Sequence, residues 1–498
     1  MATQAAGSLW LQQHFNLNEH RLTHKSFIGQ REKIELSTDG VIEQTYGPKY
    51  APGVNNPLSH IAFSIKYDDL NLDFLKAVFN NIATEEIAAY IAAAMSGKYN
   101  RKIGYLYEWL TNKEIKLPAA VSGNYADLLE EDDYVTGKII KNSRWRINDN
   151  LLGTPEFCPI VKKTREMDKL LKADLKAQIE KLRQEHPPDI FYRATQYLYR
   201  KETKSSYEIE SENPSPDRIN RFIAILNKAG ALPGKELLDE TNLTALQNAI
   251  VDKRFAAPRF RDFQNYIGQS SLQHGEIFHY ICPPPRYVHS LMDGLKRTED
   301  KSTGSNAIIR AAIIAFGFVF IHPFEDGNGR LHRFLIHDML TRDGIVDPGL
   351  IIPVSAHMIN HMRDYDGALE NYSKPLMQRI RYTNSANGEI KVTNAQQVES
   401  YFRYPDLTYQ SAYLAQTITA TILQDMTEEL NFLARYDELK KDIQDLADMP
   451  DKEIDNIIIL LHQNKGIFPN RRKNNFPKLT EGEFTAMEII YREIFKGK

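Results

Sequence analysis

The run AIIRAAIIAFGFVFI at residues 307–321 contains one charged residue, Arg310, and is otherwise apolar. A helix that is apolar on every side has to be buried, and this run is shorter than the roughly 20 residues that cross a bilayer. Ser305-Asn306, directly before it, is a typical helix start. A second apolar stretch, residues 334–340, follows after a polar run. The sequence therefore predicts a soluble, mainly helical core built around one buried helix.

The composition indicates the size and the compartment of the protein. Its 498 residues predict about two to four domains. The net charge of −3 argues against a polycationic nucleic-acid binder. Only two cysteines, Cys158 and Cys282, are present, which argues against a disulfide scaffold or an all-cysteine zinc site. Because the N-terminus also lacks a signal-peptide pattern, we expect a cytoplasmic protein without a membrane segment.

Residues 1–160 predict an α+β domain whose role the sequence does not indicate. Alternating residues on both sides of Asp39-Gly40 predict a β-hairpin. The alternation in HIAFSIKY, residues 60–67, predicts a further strand, and residues 72–95 predict one or two helices.

Residues 161–255 predict a helical region. Apolar residues recur at helical spacing over residues 167–182, and Pro187-Pro188 ends that helix. A second helix is predicted from about residue 190 to residue 209.

The rest of the chain predicts a core, residues 256–390, and a C-terminal module, residues 391–498. Short β-branched and aromatic runs around Gly275, within residues 265–285, predict a β-hairpin ahead of the buried helix. The C-terminal module predicts a helix, a basic turn and a second helix. For the basic turn we favour a solvated loop over a DNA contact; its basic residues are Arg471, Arg472 and Lys473.

The polar run HPFEDGNGRLHR, residues 322–333, carries more chemistry than a turn between two helices needs. His322 ends the buried helix, so packing can hold an imidazole whose ordinary pKa near neutrality suits a general base. Phe324 can anchor the loop in the core, and Asp326 offers a hard oxygen ligand for Mg²⁺. A turn with a structural histidine is the alternative interpretation, but it leaves the other residues unexplained.

The second half of the run predicts a polyphosphate site. Gly327, Asn328 and Gly329 allow close backbone approach at the start of a new helix, whose free N–H groups attract anions. Arg330 and Arg333 are three residues apart, so two guanidinium groups on one helix face can clamp phosphates. A base, a metal ligand and a phosphate clamp indicate attack of a hydroxyl on a nucleotide phosphate.

The run resembles the Fic family motif, HPFx[DE]GNGRxxR, at every specified position. Members of that family are mostly α-helical and typically transfer AMP from ATP to a Ser, Thr or Tyr hydroxyl of a protein. The resemblance implies that His322 is the catalytic base and that Asp326 binds Mg²⁺. It implies that the rest of the motif binds the nucleotide: Gly327, Asn328 and Gly329 the α- and β-phosphates, Arg330 the β-phosphate and Arg333 the γ-phosphate.

Segments outside the motif extend the resemblance. The predicted hairpin lies where the family has a flap that pairs with the target's backbone, which implies target contacts by Ile267, Gly268, Gln269 and Ser270. Tyr365 lies where the family places aromatic residues near the adenine, although only one of the usual two adjacent tyrosines is present. The predicted fold is therefore a mainly α-helical Fic-like core with a β-hairpin flap, an N-terminal α+β domain and a C-terminal helical module similar to a winged helix.

The segment SSYEIES, residues 205–211, resembles the family's inhibitory motif, [ST]xxxE[GN]. Ser206 and Glu210 occupy its key positions, whereas Ser211 stands where the family has Gly or Asn. The resemblance implies that Glu210 pairs with Arg333, takes the place of the γ-phosphate and inhibits the enzyme within the same chain. The alternative interpretation is a surface glutamate at a helix end.

The resemblance thus implies a protein adenylyltransferase that uses ATP and Mg²⁺ and is autoinhibited by Glu210. Its target protein is not indicated, with the chain itself among the candidates, and homo-oligomerisation is left open. One alternative keeps the fold and changes the reaction to AMP removal or to transfer of another nucleotide. A second alternative is a DNA-associated regulator that acts through the C-terminal module.

Overall fold

The computed structural model of the protein describes residues 3–38, 40–53, 56–271, 275–385 and 389–496. Helices dominate these residues, as the sequence predicts, and small sheets accompany them. No helix in this part of the chain is long and apolar enough to cross a membrane.

Short strands and helices make up the N-terminal part. Its strands are β1 (Gln4–Ala6), β2 (His24–Ile28), β3 (Lys33–Leu36), β4 (Ile42–Tyr46), β5 (Ala126–Asp127), β6 (Ile140–Asn142) and β7 (Ile147–Asp149). Its helices are α1 (Gly7–His14), α2 (Pro57–Tyr67), α3 (Leu72–Phe79), α4 (Thr84–Ala92) and α5 (Lys98–Thr111). The strands form two sheets, in the orders β1-β2-β4-β3 and β5-β7-β6.

Two predictions for this part have opposite outcomes. Strands β3 and β4 pair antiparallel, which confirms the predicted hairpin, while its turn residue Asp39 lies outside the described residues. The strand predicted at residues 60–67 is wrong, because α2 covers that segment. Asn56 starts this helix by accepting a hydrogen bond from the backbone N–H of Leu58 at 2.9 Å, and Pro57 takes the first helical position.

Six helices follow between residues 165 and 250. They are α6 (Arg165–Leu171), α7 (Leu175–Glu185), α8 (Pro188–Ile209), α9 (Pro216–Leu226), α10 (Gly234–Leu237) and α11 (Glu240–Ile250). The single helix predicted over residues 167–182 is two helices, because Asp174 caps α7 by accepting a hydrogen bond from the backbone N–H of Ala177 at 2.9 Å. Helix α8 confirms the predicted second helix.

The core follows the prediction closely. Its elements are β8 (Tyr266–Ser271), β9 (Gly275–Ile281), α12 (Pro285–Lys301), α13 (Ala307–Ile321), α14 (Asn328–Arg342), α15 (Val354–Asn360) and α16 (Met362–Arg379). Helix α13 has the predicted bounds and is buried, and Asn306 caps it by accepting from the N–H of Ile308 at 2.9 Å. Strands β8 and β9 form the predicted hairpin. Because α14 packs along α13, the loop between them lies at one end of a buried helix pair.

The C-terminal part is helical. Its elements are β10 (Tyr382–Asn384), β11 (Ile390–Val392), α17 (Ala395–Arg403), α18 (Thr408–Ala420), α19 (Thr427–Leu446), α20 (Asp451–Gln463), α21 (Asn470–Lys473) and α22 (Glu481–Lys496). Helix α18 packs against α13, whereas α19, α20 and α22 surround a small core of their own. Residues 427–496 contain helices and no strand, so the winged-helix-like arrangement is not confirmed.

The basic turn of the C-terminal part is helix α21. Arg471 and Arg472 are exposed there, and Lys473 contacts Glu481 at 2.5 Å. A DNA contact through this turn stays a prediction.

Buried ion pairs join the N-terminal part to the core. Lys301 of α12 contacts Asp149 at 2.7 Å, and Arg379 of α16 contacts Asp73 at 2.6 Å. Each of these side chains is less than a tenth exposed. Although burial acts to raise it, the pKa of Asp73 lies well below its usual range because His20 and Arg379 stabilise the carboxylate. Separating the two parts would leave buried charges uncompensated. The predicted domain boundaries themselves stay predictions.

Candidate active site

His322 is the C-cap residue of α13, with a left-handed backbone (φ 54°). Its Nδ1 lies 3.1 Å from the carbonyl oxygen of Val319. Because a carbonyl oxygen can only accept, Nδ1 carries the hydrogen and Nε2 keeps a free lone pair. Burial, assisted by the charge of Arg261, lowers the pKa of His322 to about 4. A neutral, fixed imidazole is the form that a general base needs.

The loop after His322 is fixed by its own residues. The side chain of Asn328 donates to the carbonyl oxygen of Phe324 at 2.9 Å and accepts from the N–H of the same residue at 3.0 Å. The Phe324 ring is fully buried and packs edge-on against Phe260. The Asn328 amide is therefore committed to holding the loop, and phosphate binding at this position would have to use the backbone.

The start of α14 is suited to an anion. Gly327 is its N-cap residue, with φ of 88°, and provides no side-chain cap for the first N–H groups. A Cβ atom at this position would lie only 2.8 Å from Val251 Cγ1, so glycine fits both the backbone and the space. Uncapped N–H groups at the positive end of a helix bind phosphate oxygens well.

Arg330 lies beside this helix start with a side chain that is 1% exposed. Its guanidinium contacts Asp326 at 2.6 Å and Glu212 at 2.8 Å. Its Nε and Nη1 are buried without a hydrogen-bond partner among the described residues. Buried unsatisfied donors are uncommon in native proteins, so these two N–H groups call for an acceptor such as a phosphate oxygen.

Arg333 is held by the segment that the sequence singles out as inhibitory. Its Nε donates to Ser206 Oγ at 2.8 Å, and its Nη2 donates to the Ser206 carbonyl at 2.8 Å and to Glu210 Oε1 at 2.7 Å. Burial acts to lower the pKa of Arg333, but Glu210, Tyr365 and Glu202 together outweigh it and the pKa is raised. The structure thus places Ser206 and Glu210 against the second arginine of the motif.

Glu210 also covers the start of α14. A Cβ atom added to Gly329 would lie 2.0 Å from Glu210 Oε1, so the glycine is what allows this approach. Ser211, the next residue, has φ of 57°. This left-handed conformation explains why Gly or Asn suits the last position of the inhibitory motif, and serine adopts it here.

Asp326 is a reasonable ligand for a magnesium ion that also binds phosphates. Its Oδ1 accepts from the N–H of Gly327 at 2.5 Å and from Arg330 at 2.6 Å, while its side chain is 33% exposed. No group of three or more acidic, histidine or cysteine residues in the described chain could hold a metal. A single carboxylate fits Mg²⁺, which keeps several waters and takes its other ligands from substrate phosphates.

The remaining predicted residues lie around this centre. Tyr365 is buried, with its hydroxyl 3.5 Å from Arg333 Nη1, and its contact with adenine stays a prediction. On the flap, β8 pairs with β9 and with no other strand of the described residues, which leaves its other edge without a strand partner there. Ile267 and Gln269 are exposed on β8 together with Gly268, and the side chain of Ser270 lies outside the described residues.

Three residues of the site were missed by sequence reasoning. Glu212 pairs with Arg330, and Gln247 donates to the Asp326 carbonyl at 3.1 Å. Arg261 donates to the His322 carbonyl at 2.7 Å. These residues contact the motif across 61 to 118 positions of sequence, and they occur in no recognisable pattern.

A family model described as Fic/DOC family matches residues 237–340. The matched range contains the flap, α12, α13 and the complete run from His322 to Arg333.

Curated proteins named protein adenylyltransferase are similar to part of the chain. Protein adenylyltransferase fic-1 of Caenorhabditis briggsae is 31% identical over 147 residues, which is 27% of this chain and 27% of that protein. Protein adenylyltransferase fic-1 of Caenorhabditis elegans is 32% identical over 135 residues, which is 25% of this chain and 24% of that protein. The matched region therefore spans about a quarter of the length of these relatives.

A solved Fic family protein from Desulfovibrio desulfuricans G20 aligns with 54% of this chain and 77% of its own, at 17% identity and a TM-score of 0.36. This similarity is too low to support an assignment, which rests instead on the family model and on the curated relatives. On that basis, this chain carries a Fic/DOC family domain at residues 237–340.

Proposed function

We propose that the protein is an adenylyltransferase that moves AMP from ATP to a Ser, Thr or Tyr hydroxyl of a protein. The observation that carries the proposal is Arg330, which is buried with two N–H donors that lack a partner among the described residues. These donors lie beside the uncapped start of α14, and His322 lies at the facing helix end. A triphosphate supplies the acceptors that this arrangement calls for.

The chemistry follows from these positions. Nε2 of His322 accepts the proton of the target hydroxyl. The hydroxyl oxygen bonds to the α-phosphorus while the bond from that phosphorus to the bridging oxygen breaks, so pyrophosphate leaves with the bonding electrons. Arg330 and Arg333 stabilise the negative charge that grows on the pyrophosphate. Mg²⁺ bound by Asp326 would neutralise phosphate charge in the same step.

The proposal includes autoinhibition by Glu210. Its carboxylate lies 2.7 Å from Arg333 and directly over Gly329, where a phosphate would bind. Two anions cannot share this position without strong repulsion, so productive binding of ATP requires Glu210 to leave. Because both groups belong to one chain, the inhibition needs no partner.

AMP removal is the second candidate reaction. The Glu210 side chain is 35% exposed and lies at the start of α14, so its carboxylate can orient a water molecule toward a phosphorus bound there. We propose a protein as the target of either reaction, and the chain itself is one candidate. Transfer of another nucleotide would use the same phosphate contacts.

Labelling with ATP and Mg²⁺ tests the proposal. The unaltered protein, Glu210→Gly and Glu210→Gly/His322→Ala are incubated with a cell lysate and with ATP carrying the label on either the α- or the γ-phosphate. We expect Glu210→Gly to transfer the α-label to protein, the unaltered chain to transfer much less, and the double variant to transfer none. The γ-label should remain with pyrophosphate.

Two results would change the assignment. If Glu210→Gly binds ATP but transfers no α-label to any protein, the proposed transferase activity is wrong. If the unaltered chain releases AMP from a modified protein and Glu210→Gly does not, AMP removal is the better assignment.

A further inference from the structure

The C-terminal end of α13 is capped by its own C-cap residue and by two residues from other parts of the chain. The last four carbonyl groups of a helix have no donor within it. Here the carbonyl groups are those of residues 318–321, and all four accept hydrogen bonds. The first two accept from the backbone N–H and the ring of His322, the third from the Tyr280 hydroxyl and the fourth from Arg261. Two of these donors therefore come from the flap or its immediate neighbourhood.

Arg261 joins the catalytic loop to both ends of the flap. Its Nε donates to the His322 carbonyl at 2.7 Å, and its backbone N–H donates to the Pro323 carbonyl at 2.8 Å. Its Nη1 donates to the carbonyl of Phe263, just before β8, at 2.8 Å. Its Nη2 donates to the carbonyl of Pro283, just after β9, at 2.7 Å. One planar guanidinium thus fixes three chain segments relative to one another.

Packing alone does not require a positive charge at the position of Arg261. The residue is 4% exposed, and no ion pair to a carboxylate is found for it in the described chain. Burial accordingly lowers its pKa. Carbonyl oxygens and the negative end of α13 are what stabilise the cation. A buried cation without an acidic partner is costly, so a role beside His322 is a better explanation than packing.

We propose that Arg261 is a positioning residue for the transfer reaction, holding the backbone of His322 in fixed register with the flap. The inference rests on the proposed function, in which His322 removes the proton of the target hydroxyl, and on the target contacts of the flap that the family resemblance implies. Asn265 donates to the Phe324 carbonyl at 3.0 Å and so forms a second link between the flap and the loop after His322. Arg261 contacts neither Arg330 nor Arg333, so its loss should affect transfer and leave nucleotide binding intact.

The test compares two conservative substitutions in the Glu210→Gly protein. Arg261→Lys keeps the charge but cannot reach three segments with one ammonium group. Arg259→Lys is the matched control, because Arg259 is exposed and pairs with the exposed Asp262. We expect Arg261→Lys to lower kcat for labelling by about 100-fold, as small displacements of reacting groups do, with the Kd for ATP unchanged. Arg259→Lys should label at the parent rate.

A pH profile separates positioning from a general loss of structure. The charged groups that act on His322 are Arg261, Glu210 and Asp326. Arg261→Gln removes a positive charge that disfavours protonation of the ring, so the acidic limb of labelling should move to higher pH. In Arg261→Lys the charge is kept, and the limb should stay near its original pH.

The outcomes are distinct. Equal labelling by Arg261→Lys and Arg259→Lys overturns the inference and leaves the proposed function standing. Absence of labelling in the parent Glu210→Gly protein overturns both. If Arg261→Lys also loses ATP binding and melts earlier, Tyr280→Phe decides, because it removes one cap hydrogen bond and keeps the buried ring. A several-fold lower kcat with unchanged ATP binding supports the inference, and an unchanged kcat overturns it.

Discussion

Glu212 contacts Arg330 at 2.8 Å, so the first arginine of the phosphate clamp already has an acidic partner from outside the motif. The same carboxylate contacts Arg218 at 2.6 Å. Glu210 contacts Arg333 in an equivalent way. One three-residue segment therefore supplies an acid to each arginine that we expect to hold the phosphates of the nucleotide.

Replacing Glu212 should tighten nucleotide binding. In the Glu210→Gly background, we expect Glu212→Gln to lower the Kd for ATP by about 10-fold, because Arg330 no longer has to exchange a carboxylate for a phosphate. Isothermal titration calorimetry measures the change. Glu208→Gln is the control, because Glu208 is exposed and lies two residues before this segment. Equal affinities for the two glutamine variants would contradict a role for Glu212.

Glu210→Gly should lower the thermal stability of the protein without nucleotide and increase its stabilisation by nucleotide. Without ATP, the buried cation of Arg333 loses its carboxylate partner, and we expect the Tm to fall by a few degrees. At saturating ATP and Mg²⁺ the Tm should rise by about 5 °C, whereas the unaltered chain should respond much less. Differential scanning calorimetry reports both effects. An identical ATP response of the two proteins would show that Glu210 does not compete with the nucleotide.

The low pKa of His322 predicts the pH dependence of labelling. The neutral ring is the base, and its pKa of about 4 lies below the ordinary value of 6.5 because of burial first and Arg261 second. Labelling by Glu210→Gly should therefore stay constant as the pH falls from 8 to about 5, and it should decline only near or below pH 4, because loss of the Glu210 carboxylate lowers the pKa of His322 further. Single-turnover rates across this range check the prediction. A decline centred near pH 6.5 would mean that the ring is solvated and not held as described.

Asp73 is expected to be essential for joining the N-terminal part to the core. Asp73→Asn leaves Arg379 as a buried cation without a carboxylate, which should cost about 3–5 kcal/mol of unfolding free energy. Urea denaturation measures the loss, with exposed Asp132→Asn as the control.

The pH dependence of stability gives a second check on Asp73. Its pKa in the folded protein is lower than in the unfolded chain, so its contribution is complete above about pH 4 and is lost as the pH falls further. The Asp73→Asn variant should lose less stability than the unaltered protein over that acid range.

The parts of the fold with strong local signals were predictable. The bounds of α13 follow from an apolar run that Asn306 caps at one end and Pro323 limits at the other. The failure at residues 60–67 also has a local cause. Alternating apolar residues suggested a strand, but Asn56 and Pro57 form a helix start that outweighs the alternation.

The motif residues of the site were predictable, and the residues that support them were not. His322, Arg330 and Arg333 stand in one run whose spacing indicates their chemistry. Arg261 lies in a segment without periodicity, and its role depends on carbonyl groups that only the folded chain brings together. Nothing in a single sequence indicates which arginine will cap a helix 60 residues away.

The left-handed backbone of Ser211 affects the stability of the ion pairs that Glu210 and Glu212 form with the two arginines. A serine in the left-handed region costs about 1 kcal/mol relative to glycine, so the backbone opposes the arrangement that the two ion pairs favour. The arrangement in which Glu210 and Glu212 contact the two arginines is therefore less stable than it would be with glycine at position 211. Under the proposed autoinhibition, this one backbone angle lowers the free energy that is needed to move Glu210 away from Arg333.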